Sequence, residues 1–160
     1  MAAVDYFLKI DGIPGDSHDS KHPGEIDVQS FGWGEANAGS PAVGGGGGAG
    51  KVHVEDLHVV TRLGKASPLL LLACATGQHF KQAILTARAA GKSPFEFFVV
   101  KLSDVLVSSY HTGGSVDAVP VDQVGLNFAR IEVEFRAQKP DGSADLPVKA
   151  GWDVKANKKI

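Results

Sequence analysis

The chain has 160 residues, 43% of them hydrophobic and 21% charged, with a formal net charge of -2. These values are ordinary for a globular domain and give no reason to expect a polyanionic partner such as nucleic acid. The single cysteine, Cys74, excludes an internal disulfide, so the fold does not depend on an oxidising compartment. The N-terminus lacks the basic and apolar segments of a secretory leader, which predicts synthesis in the cytoplasm without a cleaved signal peptide.

The first part of the chain predicts β-strands. Residues 4–10, 25–33 and 51 to about 63 alternate apolar with polar side chains, so each segment buries one face. Turn-forming residues fill positions 12–24, which predicts a polar loop. Between the second and third strands, residues 36–50 include a run of five glycines that offers no side chains for packing. We therefore expect a pair of strands that carries a long, adaptable arm.

The second part predicts one short helix among further strands. Ser67 followed by Pro68 is typical of a helix start, leucine and alanine follow, and Gly77 can take the left-handed conformation that ends a helix. This apolar run is far shorter than the roughly 20 residues of a membrane span, so no membrane insertion is predicted. Alternation predicts four later strands, with a break at 111–114: 79–89, 95–110, 121–137 and 146–153.

Strands dominate this pattern, and no strand–helix–strand rhythm is present. The fold class predicted is therefore mainly β: a single domain of residues 1–160, built as an antiparallel β-barrel or sandwich with one flanking α-helix.

A phosphate-binding loop is the first chemical alternative, since residues 45–51 fit the spacing of glycine and lysine in such loops. That motif needs serine or threonine next and a helix behind it, whereas Val52 and an alternating strand follow here. We interpret the segment as a flexible loop, and no cofactor is predicted.

The sequence also gives little support for metal binding or catalysis. His53 and His58 have opposite strand parity, so they face opposite sides, and they have no cysteine partner. Serines lack the surroundings of a nucleophile, Cys74 lies in an apolar helix, and Glu132 and Glu134 lie on an outward strand face. The sequence thus predicts neither a metal site nor an enzyme.

Large apolar residues on strand faces predict assembly instead. We expect Phe31, Trp33 and Leu57 on the outside of the barrel, together with Phe7, where an isolated barrel would not place them. Contacts with other copies would cover such residues and protect strand edges. Head-to-tail contacts of this kind close into rings or propagate into fibres and tubes. We therefore predict Phe31, Trp33 and Leu57 as subunit-interface residues and the arm as a contact to a neighbouring ring.

Segments along nearly the whole chain also resemble the haemolysin-coregulated protein (Hcp) family. One is Phe31-Gly32-Trp33-Gly34, and the others are residues 6–15, 24–28, 67–70, 73–77, 126–131 and 151–153. The resemblance implies a tube subunit of a bacterial type VI secretion system, with a fold like that of phage tail-tube proteins. It implies hexameric rings that stack into a tube inside a contractile sheath. The tube would leave the bacterial cytoplasm with its spike, for the extracellular space or a target cell, with small effectors in the ring lumen.

The family's extended loop, which helps rings to stack, corresponds to about residues 36–50. The candidate stacking residues are Ala38, Ser40, Pro41, Val43, Gly44, Gly46 and Gly48. Glycine loses more backbone freedom on ordering than other residues, which penalises a fixed loop. A small-ligand-binding β-barrel of the lipocalin kind remains the alternative function.

Overall fold

The computed structural model describes residues 3–39 and 51–160 and shows a mostly β fold. One helix, α1 (Ala66–Thr76), lies between the fifth and sixth of the strands in these ranges. The strands are β1 (Val4–Ile10), β2 (Ile26–Gly32), β3 (Glu35–Asn37), β4 (Val52–Val54), β5 (Leu57–Arg62), β6 (His79–Ala89), β7 (Phe95–Ser115), β8 (Ala118–Phe135), β9 (Val148–Asp153) and β10 (Lys158–Lys159).

Six antiparallel strands close into a barrel. They follow the order β8-β5-β2-β1-β6-β7, and β7 pairs again with β8. Along its edge opposite β7, strand β8 has two partners: residues 121–126 pair with β5 and residues 130–135 pair with β9. Strand β10 extends this edge, and β3 and β4 form a separate two-stranded ribbon. The predicted antiparallel barrel with one flanking helix is confirmed.

Aliphatic side chains fill the barrel interior. Each of the six strands contributes at least one member of a single buried cluster, which includes Leu8, Ile26, Leu57, Leu85, Leu102 and Leu126. Alternation places these residues inward and their polar neighbours outward. The barrel is therefore a packed core in the part of the chain that the structure describes, and the space of a lipocalin-like ligand is occupied by side chains.

The helix start differs from the prediction. Lys65, not Ser67, occupies the N-cap position, and it makes no side-chain cap hydrogen bond. Ser67 lies in the first turn, where its hydroxyl accepts a hydrogen bond from the Gly64 N–H at 3.0 Å. The C-terminal prediction is confirmed, because Gly77 has a φ of 68° and its N–H donates to the Ala73 carbonyl.

Two predicted strand boundaries were wrong. Residues 111–114 do not interrupt the strand, because β7 continues to Ser115 and pairs with β8 across a two-residue turn. Gly114 lies where an added Cβ would stand 3.1 Å from the Pro120 Cγ, so its glycine marks a close cross-strand approach and not a turn. The predicted strand of residues 51–63 is divided at Glu55 and Asp56 into β4 and β5.

Candidate assembly surface

The predicted interface residues occupy different environments. Phe31 and Trp33 are partly buried against the core, and Phe31 stacks within 6.2 Å of Phe98 and meets Tyr6 edge-on at 5.4 Å. The Trp33 indole donates a hydrogen bond to the Glu55 carbonyl at 2.8 Å. Their role at a subunit interface stays a prediction, since each side chain is still partly exposed to solvent.

The prediction for Leu57 is wrong. Its side chain is 1% exposed, because it shares the inward face of β5 with Val59 and Thr61 and packs in the barrel interior. Phe7 lies on the outer face of β1 but is not exposed to solvent: it is 4% exposed and stacks on His22 of the loop between β1 and β2. The alternating pattern of β1 gave no indication that a polar loop covers this part of the barrel.

The arm predicted to stack rings begins at the β3–β4 ribbon. Its base is paired between Glu35 and Val54 and between Asn37 and Val52, and Ala38 is exposed just beyond β3. The other candidate stacking residues lie outside the described residues: Ser40, Pro41, Val43, Gly44, Gly46 and Gly48. A groove of about 940 Å³, with Trp33 and Trp152 in its walls, separates the ribbon from β8 and β9.

Helix α1 presents apolar side chains to solvent. Its inner side is buried through residues such as Leu70 and Ala73. On its outer side, Leu69, Leu71 and Leu72 are 38%, 54% and 55% exposed. A surface helix ordinarily carries polar residues on that side, so this apolar face is the strongest candidate for a contact with another protein chain. Sequence reasoning recognised the helix but did not consider its outer face.

A buried polar cluster anchors the helix to the barrel. The Asp122 carboxylate is fully buried and accepts hydrogen bonds from the Ser67 hydroxyl and, at 3.0 Å, from the Tyr110 hydroxyl. Burial, followed by the nearby Asp122 carboxylate, raises the pKa of Tyr110. The helix is therefore fixed in orientation, and its outer leucines are held at a defined place on the surface.

A second polar cluster lies on the outside of the barrel. The Arg88 guanidinium is almost fully buried and donates to both oxygens of Asp19, at 3.0 and 2.7 Å, and to Asp5 at 3.1 Å. Hydrogen bonding from Arg88 holds the pKa of Asp19 well below its usual range. This cluster ties the loop between β1 and β2 to the outer face of β1 and β6.

The residues weighed for catalysis have structural partners. Glu132 lies 3.8 Å from the Lys101 ammonium, and Glu134 contacts Arg136 at 2.8 Å and Lys149 at 3.8 Å. Within residues 3–39 and 51–160, no group of three or more histidine, cysteine or acidic side chains is arranged to hold a metal ion. The one helix of these ranges is also too short to cross a bilayer.

Comparison with known proteins adds independent evidence. A family described as "Type VI secretion system effector, Hcp" matches residues 7–135. Over 158 residues the chain is 46% identical to Protein hcp1 of Pseudomonas aeruginosa, covering 97% of this chain and 98% of that protein.

Solved structures agree with the family match over nearly the whole length. Hcp1 from Salmonella typhimurium superimposes with a TM-score of 0.80 at 36% identity and covers 100% of both chains. A type six secretion system protein superimposes with a TM-score of 0.93 at 29% identity, covering 99% of this chain and 100% of that one. The resemblance seen in the sequence is thus confirmed, and the chain belongs to the Hcp family of type VI secretion system proteins.

Proposed function

We propose that this protein is a structural tube subunit that forms hexameric rings, and that these rings stack into a tube. The observation that carries the proposal is the apolar outer face of α1, where Leu69, Leu71 and Leu72 remain exposed in the single chain. Family membership supports the same function. We propose that residues 1–160 act in this assembly as a single domain.

The physical reason for assembly is the removal of apolar surface from water. Burying a leucine side chain fully contributes about 1.5 to 3 kcal/mol, so several leucines on each subunit favour association strongly. A contact between two different patches repeats around a ring and leaves no subunit unsatisfied. We propose that α1 provides one of these two patches.

The cargo site lies between subunits in this proposal. The barrel interior is filled by residues such as Leu57, Leu102 and Leu126, which leaves a small effector no room inside the barrel. We propose that small secreted effectors lie in the central hole of the ring. The tube would be ejected with a spike protein when the surrounding sheath contracts, from the cytoplasm to the exterior or a target cell.

Native mass spectrometry and electron microscopy of the purified protein test the assembly. We expect a sixfold mass and rings with a central hole. The double variant Leu71→Ser, Leu72→Ser should shift the protein to smaller species without loss of its β-sheet circular dichroism. The control is Val116→Ser, which changes a fully exposed apolar residue at the β7–β8 turn and should leave rings intact.

Two outcomes would contradict this proposal at different levels. If the wild-type chain stayed monomeric at every accessible concentration, the proposal of ring assembly would be wrong. A small molecule bound to that monomer would favour the ligand-binding barrel. If rings persisted in the double leucine variant, only the proposal that α1 forms part of the subunit contact would be wrong.

The arm is proposed to act between rings. Removing three of the five glycines in 44–48 should leave single rings intact but change the length distribution of stacked rings in electron micrographs. A loss of the rings themselves would show that the arm contacts neighbours within one ring.

Ejection is tested in a bacterium with an active secretion system. Tagged protein should be found in the culture medium, and deletion of a sheath gene should confine it to cells. Equal release with and without the sheath would contradict transport by sheath contraction.

A further inference from the structure

His22 is held between two carboxylates in the loop of residues 11–25, which connects β1 to β2. Its Nδ1 atom lies 2.7 Å from Glu25 Oε2, and its Nε2 atom lies 2.6 Å from Glu96 Oε1. The side chain is 10% exposed, and the ring stacks on Phe7 with the centroids 4.3 Å apart and the planes 9° apart. The imidazole therefore has one orientation, in which both nitrogens face acceptors.

The protonation state of the ring decides whether both contacts are favourable. A neutral imidazole has one N–H, so it can donate to only one of two carboxylates, and its second nitrogen presents a lone pair to the other. The imidazolium form donates at both nitrogens, and such charge-assisted hydrogen bonds are the stronger kind. The arrangement thus fits the protonated ring and leaves one contact repulsive when the proton is lost.

The two carboxylates belong to different parts of the fold. Glu25 closes the loop just before β2, whereas Glu96 is on β7, and cross-strand pairing places Asp5, Arg88 and Glu96 in one row across β1, β6 and β7. His22 therefore bridges from the loop over β1 and β6 to the start of β7. Loss of the Glu96 contact would release the loop from β7.

The charges around the ring favour a cation there. Acidic groups outnumber basic ones on the loop and the strands beneath it. The acidic groups are Asp11, Asp16, Asp19 and Glu25 of the loop, Asp5 of β1, Asp27 of β2 and Glu96 of β7, and the other ionisable groups are His18 and Lys21 of the loop, Lys9 of β1 and Arg88 of β6. Burial, with Asp16, Asp19 and Asp5 nearby, raises the pKa of Asp27, which agrees with an excess of negative charge. Arg88 is already engaged by Asp19 and Asp5.

We infer that His22 is a proton-dependent clasp that holds the 11–25 loop against β7. With the imidazolium present, the loop is fixed at both Glu25 and Glu96. When the proton leaves, only one contact can be kept; Glu96 is 42% exposed and can be hydrated, whereas Glu25 is 12% exposed, so the Glu96 contact is lost and the loop opens on the β7 side. The Arg88 contacts with Asp19 hold the other side of the loop in both states.

Hydrogen exchange of the intact protein, followed by mass spectrometry of peptides from the loop, tests this inference. Between about pH 5 and about pH 8, the range in which histidine side chains ordinarily change charge, exchange rates corrected for the intrinsic effect of pH should rise severalfold in the loop. His22→Gln cannot bridge two carboxylates as a cation, so its loop should exchange fast at every pH. The matched control is His58→Gln, which changes an exposed histidine of β5 and should keep the wild-type response.

A second variant separates the clasp from a general loss of stability. Glu96→Gln supplies an amide N–H that the neutral ring can accept, so its loop should stay protected at the higher pH. Loop exchange in the wild type that does not change with pH, or a pH response that survives in His22→Gln, would overturn the inference. A loop that opens in Glu96→Gln just as in the wild type would also overturn it.

Discussion

Ser67, in the first turn of α1, donates a hydrogen bond to Asp122 of β8, and both side chains are almost completely buried. The contact joins residues 55 positions apart and fixes the only helix of the described ranges to the strand that closes the barrel. Tyr110 of β7 donates to the other oxygen of the same carboxylate, so three elements meet at one buried charge.

The first prediction follows from this contact. Ser67→Ala leaves one oxygen of Asp122 without its donor in a dry environment, which should lower the free energy of unfolding by about 1 to 3 kcal/mol. Urea denaturation at neutral pH measures the loss. Ser108→Ala is the control, because that hydroxyl donates to Asp56 at an exposed site and should change stability little. Equal losses in the two variants would contradict the structural role of the Ser67 contact.

The pairing of Asp19 with Arg88 predicts a pH dependence. The pKa of Asp19 is lowered from 3.8 in the folded protein, so its stabilising effect is complete above that value and declines as the pH falls below it. Asp19→Asn should therefore reduce stability at neutral pH, and its difference from the wild type should shrink in acid.

Urea denaturation at several pH values checks this dependence. Asp117→Asn removes a carboxylate at the exposed β7–β8 turn and is the matched control. A wild-type advantage over Asp19→Asn that persists unchanged in strong acid would argue against the ion pair.

The corrected position of Leu57 predicts a stability effect. Leu57→Ala removes a side chain that is 1% exposed in the barrel core, which should lower the free energy of unfolding by about 2 to 5 kcal/mol. Leu146→Ala, at a position 84% exposed, should change it by less than about 0.5 kcal/mol. The measurement is thermal or urea unfolding at constant protein concentration. If Leu57→Ala altered assembly and left subunit stability unchanged, Leu57 would be an interface residue after all.

The end of α1 predicts a backbone effect. Gly77 has a φ of 68°, a conformation that disfavours other L-residues by about 1 to 2 kcal/mol, so Gly77→Ala should destabilise the protein by roughly that amount. Gly77→Asn should lose less, since asparagine tolerates the left-handed region. Gly113→Ala, in a strand with open space around the glycine, is the control for a simple added methyl group. Thermal unfolding should rank the three variants in that order, with Gly77→Ala least stable.

Local patterns determined the elements and the fold class. Alternation predicted β1 and β6 with their observed bounds, because a strand with one buried face must repeat every second residue. Gly77 was predicted as the end of α1 because its left-handed conformation is a local requirement. Motifs spread along the chain likewise identified the family before any comparison.

Contacts between distant residues depended on the three-dimensional arrangement. Leu57 was expected outside and lies inside, because a strand pattern shows which residues share a face but not which face meets the core. The bridge from His22 to Glu96 spans 74 positions, and no local signal relates the two residues. The exposed leucines of α1 could not be predicted for the same reason. Helix propensity predicts the helix, whereas its packing partners determine which side remains exposed.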